Sequence, residues 1–330
     1  MRPRWDGWKS PLGPAIERFV AYKRALGRRY NNEEKALHLF DRFLARCGVT
    51  GAEHITPELV EEFLASRDRW RPRSHNVLLG VVRVLFDWLV IQGSLAKSPV
   101  RTRPRRVTAQ RIPYLFDAVQ ARRLLDVAAD LPDRSRAPLR GPTYRTIFAL
   151  LYGLGLRVGE VARLRRADVD LNRQLLVIRD TKFGKSRLVP FGPRLGGLLQ
   201  VYLALREHRG GAPIVAEAPV FTFTRRGHVH PGTISQTFHQ LVPRLGLTIP
   251  PGVAPPRVHD LRHAFAVGTL LRWYRDGLDP AGRLFHLATF LGHVSPSSTA
   301  VYLTITDALL DEANRRFARA AGPTITERSS

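Results

Sequence analysis

The second half of the chain contains two pairs of polar residues at helical spacing within otherwise apolar stretches. Arg157 precedes Glu160 by three residues, and a carboxylate at that spacing can fix the plane of a guanidinium group. His259 precedes Arg262 by the same interval, so both side chains fall on one face of a predicted helix. Taken alone, the first pair is more simply explained as a structural ion pair.

Two further stretches supply a basic turn, a histidine and a tyrosine. Lys182 and Lys185 are the only lysines after residue 112, and both fall on the turn of a predicted β-hairpin. His293 follows a glycine, which allows close approach of the backbone, and Tyr302 comes nine residues later. A lone histidine or tyrosine is more often a core or surface residue than a catalyst, so only the combination indicates chemistry.

Together these residue types suit the transfer of a phosphoryl group. Two arginines can bind one phosphate through paired hydrogen bonds and stabilise its pentacoordinate transition state. A tyrosine oxygen can attack phosphorus, a histidine can handle the proton, and a lysine can protonate the leaving alkoxide. No acidic cluster able to hold two metal ions lies nearby in the sequence, so we expect no metal and no cofactor.

The charge of the whole chain favours a nucleic-acid partner. The 330 residues include 52 Lys and Arg against 28 Asp and Glu, a formal net charge of +24. Residues 1–112 hold 22 basic and 11 acidic side chains, and residues 113–330 hold 30 and 17, so both parts are basic. This excess favours a polyanionic partner, most simply nucleic acid, and argues against an ordinary small-metabolite enzyme.

Compartment and membrane association follow from a few local features. A single cysteine, Cys47, excludes an intrachain disulfide, and the first ten residues lack the apolar core of a signal peptide. The most apolar stretch, residues 78–91, is interrupted by Arg83 and Asp87 and is too short to span a bilayer. We therefore expect a cytoplasmic protein without a membrane segment.

The first hundred residues read as a bundle of four helices. Helical spacing of apolar residues covers residues 14–26, and Asn31 with Glu34 resembles a capping box that opens a second helix. Thr56 and Pro57 open a third helix, and a fourth runs over residues 74–91. This pattern predicts a compact all-α domain over residues 1–100.

An arginine- and proline-rich linker is predicted over residues 101–113. Proline and a dense run of like charge disfavour a packed element. Arg103, Arg105 and Arg106 either lie along a DNA backbone or belong to a solvated hinge without a partner. The sequence alone leaves both alternatives open.

The remaining chain predicts a second, mainly helical domain over residues 114–322 and a short tail over residues 323–330. Helical signals cover residues 117–129 and 143–164, and β-prone stretches at 175–179 and 186–190 suggest an antiparallel hairpin. Residues 219–224 are a candidate edge strand. The fold class is therefore mainly α with a small antiparallel β-sheet.

The separated motifs also occur in a recognisable order. The order is Gly-Leu-Arg157-x-Gly-Glu160, Lys182 ahead of Arg-Leu-Val-Pro, His259-Asp-Leu-Arg262-His-x-Phe, and Leu-Gly-His293 followed by Tyr302. Over residues 115–320 this resembles the tyrosine recombinase (phage integrase) family, in its Xer-like form, and several spaced motifs in order are specific. The first domain resembles that family's SAM-like core-binding domain.

The resemblance implies roles around one DNA phosphate. Arg157 and Arg262 would hold the non-bridging oxygens of the scissile phosphate, and His293 would donate to the same group. Glu160 would orient the arginine and histidine side chains.

For the groups that form and break bonds, the resemblance implies that Tyr302 is the nucleophile of a 3′-phosphotyrosyl link. His259 would assist its proton, and Lys182 would be the acid for the 5′ hydroxyl. Either lysine of the turn could reach the phosphate, but Lys182 matches the family position, and Lys185 then contacts a backbone phosphate.

The implied function is site-specific recombination of double-stranded DNA by a homotetramer, alone or with partner recombinases. A helix over residues 306–319, with an apolar face of Leu309, Leu310, Ala313 and Phe317, would dock on a neighbouring protomer or fold back on its own core. The segment between Arg262 and His293 is long and resembles a mobile-element subgroup, which favours integration, excision or transposition. Alternatives are dimer resolution by the same chemistry, a type IB topoisomerase, or a non-catalytic DNA-binding regulator.

Overall fold

The computed structural model describes residues 7–67, 72–107, 111–179, 186–210, 213–223, 227–293 and 299. The chain divides into two compact units, residues 1–110 and residues 111–330. Lys182, Lys185, Tyr302 and the helix expected over residues 306–319 lie outside the described residues.

The first unit is a helical bundle around an aromatic core. Its described helices are α1 (Gly13–Ala25), α2 (Asn31–Arg46), a 3-10 turn (Ala52–His54), α3 (Pro57–Ala65) and α4 (Pro72–Ile91). The ring of Phe40 lies 4.9 Å from that of Phe63 and 5.9 Å from that of Phe86, both edge to face. The expected all-α character of this region is therefore present.

Two predicted helix starts have different outcomes. The Thr56 cap is confirmed, because its hydroxyl accepts a hydrogen bond from the Leu59 amide at 3.3 Å. The capping box predicted at Asn31 is wrong, because Asn31 is already helical and the cap is Tyr30 at φ 50°. Glu34 instead accepts a hydrogen bond from Arg24 at 2.6 Å, which ties α2 to α1.

Helix α4 is longer than the apolar stretch of residues 78–91 that the sequence indicated. Its 20 residues, with a mean hydropathy of 1.5 over the most apolar window, would be long enough to cross a membrane. The prediction that this stretch is too short is therefore wrong. Eight of its residues are buried in the core of the first unit, and this packing accounts for much of its apolar character.

The segment 101–107 forms neither helix nor strand and is hydrogen-bonded to the bundle. The Asn76 side chain exchanges two hydrogen bonds of 2.8 Å with the Arg105 backbone, and Arg83 donates to the Thr102 carbonyl at 2.5 Å. Arg103, Arg105 and Arg106 are exposed. This arrangement holds the backbone of the segment against α4 and presents a basic surface.

The second unit packs seven described helices with a three-stranded antiparallel sheet. The helices are α5 (Ala118–Ala129), α6 (Arg140–Leu154), α7 (Val158–Ala162), α8 (Pro193–Gly210), α9 (Pro231–Leu241), α10 (Asp260–Arg275) and α11 (Pro280–Leu291). The strands are β1 (Val169–Asp170), β2 (Leu175–Ile178) and β3 (Arg187–Pro190), in the order β1-β2-β3. The predicted hairpin is confirmed, with Ile178 opposite Arg187.

The third strand is not where the sequence placed it. Residues 219–223 form no strand, although Pro219 makes one isolated bridge to Arg165. The carbonyls of Pro219 and Val220 instead accept hydrogen bonds from Arg206, and the Val220 carbonyl also accepts one from Tyr202. These two carbonyls therefore bind side chains rather than a neighbouring strand.

The helix predicted over residues 143–164 is broken in the structure. Helix α6 ends at Leu154, Gly155 adopts a left-handed φ of 59°, and α7 begins at Val158. A Cβ on Gly155 would lie 2.5 Å from the ring of Phe265, so the close packing of α10 requires glycine here. The break leaves Arg157 at the N-cap of α7 rather than inside a helix.

Candidate active site

Three arginines from different elements converge on the carboxyl end of α11. They are Arg157 at the start of α7, Arg187 at the start of β3, and Arg262 in the first turn of α10. Arg187 Nε donates to the Phe290 carbonyl at 2.8 Å, and Arg262 Nη2 donates to the Leu291 carbonyl at 2.8 Å. Arg157 donates twice, from Nη1 to the Leu291 carbonyl at 3.3 Å and from Nη2 to the Gly292 carbonyl at 2.8 Å. Cations at the negative end of a helix dipole are stabilised there.

Arg262 anchors the centre of this cluster. Its side chain is fully buried, and its Nη1 donates to the Gly155 carbonyl at 2.6 Å. The turn at Gly155 therefore does two things: it ends α6 and directs a carbonyl to Arg262. This explains why a glycine stands two residues before Arg157.

Glu160 is the buried carboxylate of the cluster, with 4% of its surface exposed. It accepts the Arg157 backbone amide at 2.9 Å and Arg157 Nη1 at 2.8 Å. It also accepts both Nη groups of Arg187, at 3.0 and 2.9 Å. Burial alone would raise the pKa of Glu160, but hydrogen bonds and charge from Arg187, followed by those of Arg157, hold it at about 2.

His293 follows directly on the end of α11. Its Nδ1 shares a hydrogen bond of 2.7 Å with the hydroxyl of Thr299, which is fully buried. Burial, followed by the charges of Arg262 and Arg157, lowers the pKa of His293 to about 4. The ring is therefore neutral near pH 7, and its hydrogen bond to Thr299 fixes which nitrogen faces away from that hydroxyl.

His259 occupies the N-cap position of the helix that carries Arg262. Its ring lies 4.9 Å from the ring of His263 in an edge-to-face arrangement. Although His259 is exposed, the crowding of protein around its ring, followed by the charges of His263 and Arg262, lowers its pKa to about 4. A neutral imidazole at this position can accept a proton.

The structure thus gathers the sequence-predicted Arg157, Glu160, Arg262 and His293 around one helix end, with His259 at the start of α10. Lys182, Lys185 and Tyr302 lie outside the described residues, and Arg103, Arg105 and Arg106 belong to the first unit. Within the part of the chain that the structure describes, no three His, Cys, Asp or Glu side chains cluster as a metal site would.

Sequence reasoning missed Arg187 and Thr299. Arg187 occupies the same face of β3 as the fully buried Val189, two residues on. An arginine at a core-facing position of a strand was the available signal, because alternate residues of a strand share a face. For Thr299 we find no comparable signal.

Solved structures with the same fold are DNA recombinases. A lambda integrase dimer bound to a COC′ core site matches with a TM-score of 0.62, at 19% identity, over 88% of this chain and 76% of that one. The XerH recombinase bound to a palindromic difH substrate in a post-cleavage complex matches with a TM-score of 0.61, at 18% identity, over 86% and 78%. The fold is that of the tyrosine recombinases.

Sequence comparisons agree with the fold. A profile of the phage integrase family matches residues 115–308. A Sinorhizobium fredii protein named as an integrase/recombinase, y4rB, is 36% identical over 94% of this chain and 98% of its own length. Tyrosine recombinase XerA of Thermococcus onnurineus is 26% identical over 92% and 95%. The chain belongs to the phage integrase family, and it is a site-specific recombinase.

Proposed function

We propose that this recombinase cuts and rejoins DNA through a 3′-phosphotyrosine at Tyr302. Arg157 and Arg262 bind the non-bridging oxygens of the scissile phosphate, and His293 donates to the same group. The observation that carries this proposal is the convergence of guanidinium groups beside His293 at the end of α11. Excess positive charge fixed before the reaction stabilises charge that develops on a phosphoryl group.

In the cleavage step, the Tyr302 oxygen forms a bond to phosphorus as the bond from phosphorus to the 5′ oxygen breaks. His259 takes the tyrosine proton, for which its ring must be neutral, and its lowered pKa keeps the ring neutral near pH 7. Lys182 gives a proton to the leaving 5′ oxygen, and Lys185 contacts a neighbouring backbone phosphate. Attack by the 5′ hydroxyl of another strand on the phosphotyrosine reverses the step, so no ATP is consumed.

We further propose that His293 acts as a neutral donor. Thr299 engages its Nδ1, which leaves Nε2 as the nitrogen that reaches the phosphate. Glu160 orients Arg157 through the two hydrogen bonds between them.

The partner is double-stranded DNA, and the active assembly is a homotetramer. An apolar groove of about 470 Å³ in the second unit supports an interprotomer contact; it is lined by residues including Leu154, Leu195, Phe265, Trp273, Leu287 and Phe290. The apolar face expected on residues 306–319 of a neighbouring protomer has the chemistry to fill it. Arg103, Arg105 and Arg106 contact the DNA backbone.

The biological role we propose is integration, excision or transposition of a mobile element in the cytoplasm. The similarity to a protein named as an integrase/recombinase supports integration, and chromosome- or plasmid-dimer resolution by the same chemistry is the alternative. Recombination between two test sites on separate plasmids, compared with sites on one plasmid, distinguishes integration from resolution. Strong preference for joining separate molecules favours integration, and a strict requirement for sites on one molecule favours resolution.

Trapping the covalent intermediate tests the chemistry. On a nicked suicide substrate, the short fragment that carries the leaving 5′ hydroxyl diffuses away after cleavage. The wild-type chain should therefore accumulate a protein–DNA adduct, and Tyr302→Phe should form none. Affinity for DNA should be nearly unchanged, because binding rests on many phosphate contacts. Adduct formation by Tyr302→Phe would exclude this nucleophile, and absence of any adduct with the wild type would favour a binding regulator. Relaxation of plasmids without a recombination site would favour a topoisomerase.

A further inference from the structure

Arg187 is the one member of the arginine cluster for which the chemistry proposed above has no role. It opens β3, and only 10% of its side chain is exposed. Its two Nη groups bind both oxygens of Glu160, and its Nε binds the Phe290 carbonyl. One guanidinium group therefore joins the sheet, the start of α7 and the end of α11.

Gly292 provides a second observation about the same side chain. This glycine ends α11 at φ 67°, and a Cβ placed on it would lie 2.8 Å from Arg187 Nη1 and 3.0 Å from Cζ. The guanidinium plane thus packs against the backbone that immediately precedes His293. The glycine of the Leu-Gly-His motif is required by Arg187 as well as by its own left-handed conformation.

The hydrogen bonds on Glu160 show what Arg187 contributes. Of the four that this carboxylate accepts, two come from Arg157 and two from Arg187. Without Arg187, the burial of Glu160 would be opposed only by Arg157, and burial favours the protonated, neutral form. A protonated Glu160 would hold the Arg157 guanidinium less firmly.

We propose that Arg187 is a positioning residue of the recombinase, which fixes Arg157 through Glu160 and fixes His293 through the last turn of α11. This inference rests on the proposed roles of Arg157 and His293. Arg187 acts through these two groups and needs no contact with the phosphate. Two other roles are possible for it: direct binding of the phosphate, or structural support with no effect on the reaction.

The test measures the rate of adduct formation on the suicide substrate at saturating protein. We expect Arg187→Met to lower this rate by about 100-fold and Arg187→Lys by about 10-fold, with DNA affinity within about threefold of wild type. The rate of Arg187→Met should also rise more steeply with pH between 5 and 8 than that of wild type, because the pKa of Glu160 moves up. A merely structural role would leave the pH profile unchanged.

Arg206 offers a matched control on α8. It binds the backbone carbonyls of Pro219 and Val220 and touches neither Glu160 nor α11 in the contacts described. Arg206→Met should lower the melting temperature while leaving the cleavage rate and its pH profile unchanged. If Arg187→Met does not fold, Arg187→Lys and the glycine variants below carry the test.

A pair of glycine variants probes the same contact from the backbone side. Gly277 and Gly292 both follow helices with left-handed φ, 76° and 67°, but a Cβ on Gly277 meets nothing within 4 Å. Gly292→Ala should therefore slow cleavage by about 10-fold, whereas Gly277→Ala should cost stability only. Equal cleavage rates for the two variants would overturn the inference.

Combination with Arg157→Ala separates positioning from direct contact. If Arg187 acts chiefly through Arg157, adding Arg187→Met to Arg157→Ala should change the rate by less than about 10-fold. A further 100-fold loss in that background would contradict positioning through Arg157 and Glu160. Wild-type cleavage by Arg187→Met would overturn the inference and leave the proposed function standing, whereas no adduct from the wild-type chain would remove both.

Discussion

Glu160 and Asp260 are two buried carboxylates of the second unit, and each uses the same device. Asp260 is fully buried and accepts a two-pronged pair of hydrogen bonds from Arg111, both 2.8 Å, together with the Arg257 amide at 2.9 Å. Glu160 accepts a similar pair from Arg187 and the Arg157 amide. Each carboxylate therefore combines a guanidinium fork with a backbone donor near a helix start.

The two sites differ in what else their arginines hold. Arg111 donates its remaining described bond to the Pro255 carbonyl, so the pair ties the first residue of the second unit to the segment before α10. At Glu160 a second arginine joins, and both arginines extend to the end of α11. At Asp260 one arginine charge balances one carboxylate charge. At Glu160 three arginines, Arg157, Arg187 and Arg262, face one carboxylate, so positive charges exceed negative charges by two. An unbalanced cluster attracts an anion, and a balanced pair holds the chain together.

The largest effect that would test this comparison is on catalysis. Arg157→Ala should slow adduct formation by about 10²–10³-fold, because a donor to the transition-state oxygens is removed. Its melting temperature should fall less than that of an Arg111 variant, since Arg187 still pairs with Glu160. Rates are measured in single turnovers and melting by calorimetry. A rate within threefold of wild type would break the comparison.

Arg111→Met should have the opposite profile. Loss of the fork leaves a fully buried carboxylate with one described backbone donor, which lowers the free energy of unfolding by about 3–5 kcal/mol. The folded fraction should still cleave within about threefold of the wild-type rate. Denaturant unfolding gives the free energy, and Asp260→Asn serves as the partner control. Collapse of the rate without loss of stability would assign Arg111 to the active site instead.

The sequence predicted one of these two sites and not the other. The motif order predicted Arg157, Glu160 and Arg262 because their types and spacing suit one phosphate. The Arg111–Asp260 pair spans 149 residues, and no local pattern reveals such a contact. The same limit explains the missed break at Gly155, where the close approach of Phe265 from α10 overrides a helical pattern. The helix start at Thr56, which is set by neighbouring residues, was predicted correctly, whereas the capping box predicted at Asn31 was not.

The arginines of the segment 101–107 are exposed, whereas the guanidinium of Arg111 pairs with Asp260. Replacing Arg103, Arg105 and Arg106 with Ala should weaken DNA binding and reduce the slope of log K against log salt by about 0.9 for each phosphate that is no longer bound. Arg111→Met should leave that slope unchanged, because Asp260 already engages the guanidinium. Binding is measured by fluorescence anisotropy at several salt concentrations. An unchanged slope for the triple variant would favour a solvated hinge.

The smallest effect we expect is in the pH dependence of stability, and it follows from the unbalanced charge beside Glu160. Burial and the neighbouring arginines lower the pKa of His293 to about 4, whereas an unfolded histidine has a pKa of about 6.5. Between these values the unfolded chain binds more protons than the folded one, so the free energy of unfolding rises with pH. This contribution is fully present above pH 6.5 and is lost as the pH falls towards 4.

His293→Gln should therefore flatten the rise in the free energy of unfolding between pH 4 and pH 6.5. Arg111→Met should instead lower the free energy of unfolding at every pH, without changing the part of the slope that His293 contributes. The reason is that His293 responds to Arg262, Arg157 and Arg187, while Arg111 is not among the charges that lower its pKa. Urea unfolding at half-unit steps of pH, followed by fluorescence, measures both curves. A slope that survives His293→Gln would mean that His259, whose pKa is also lowered to about 4, dominates the titration.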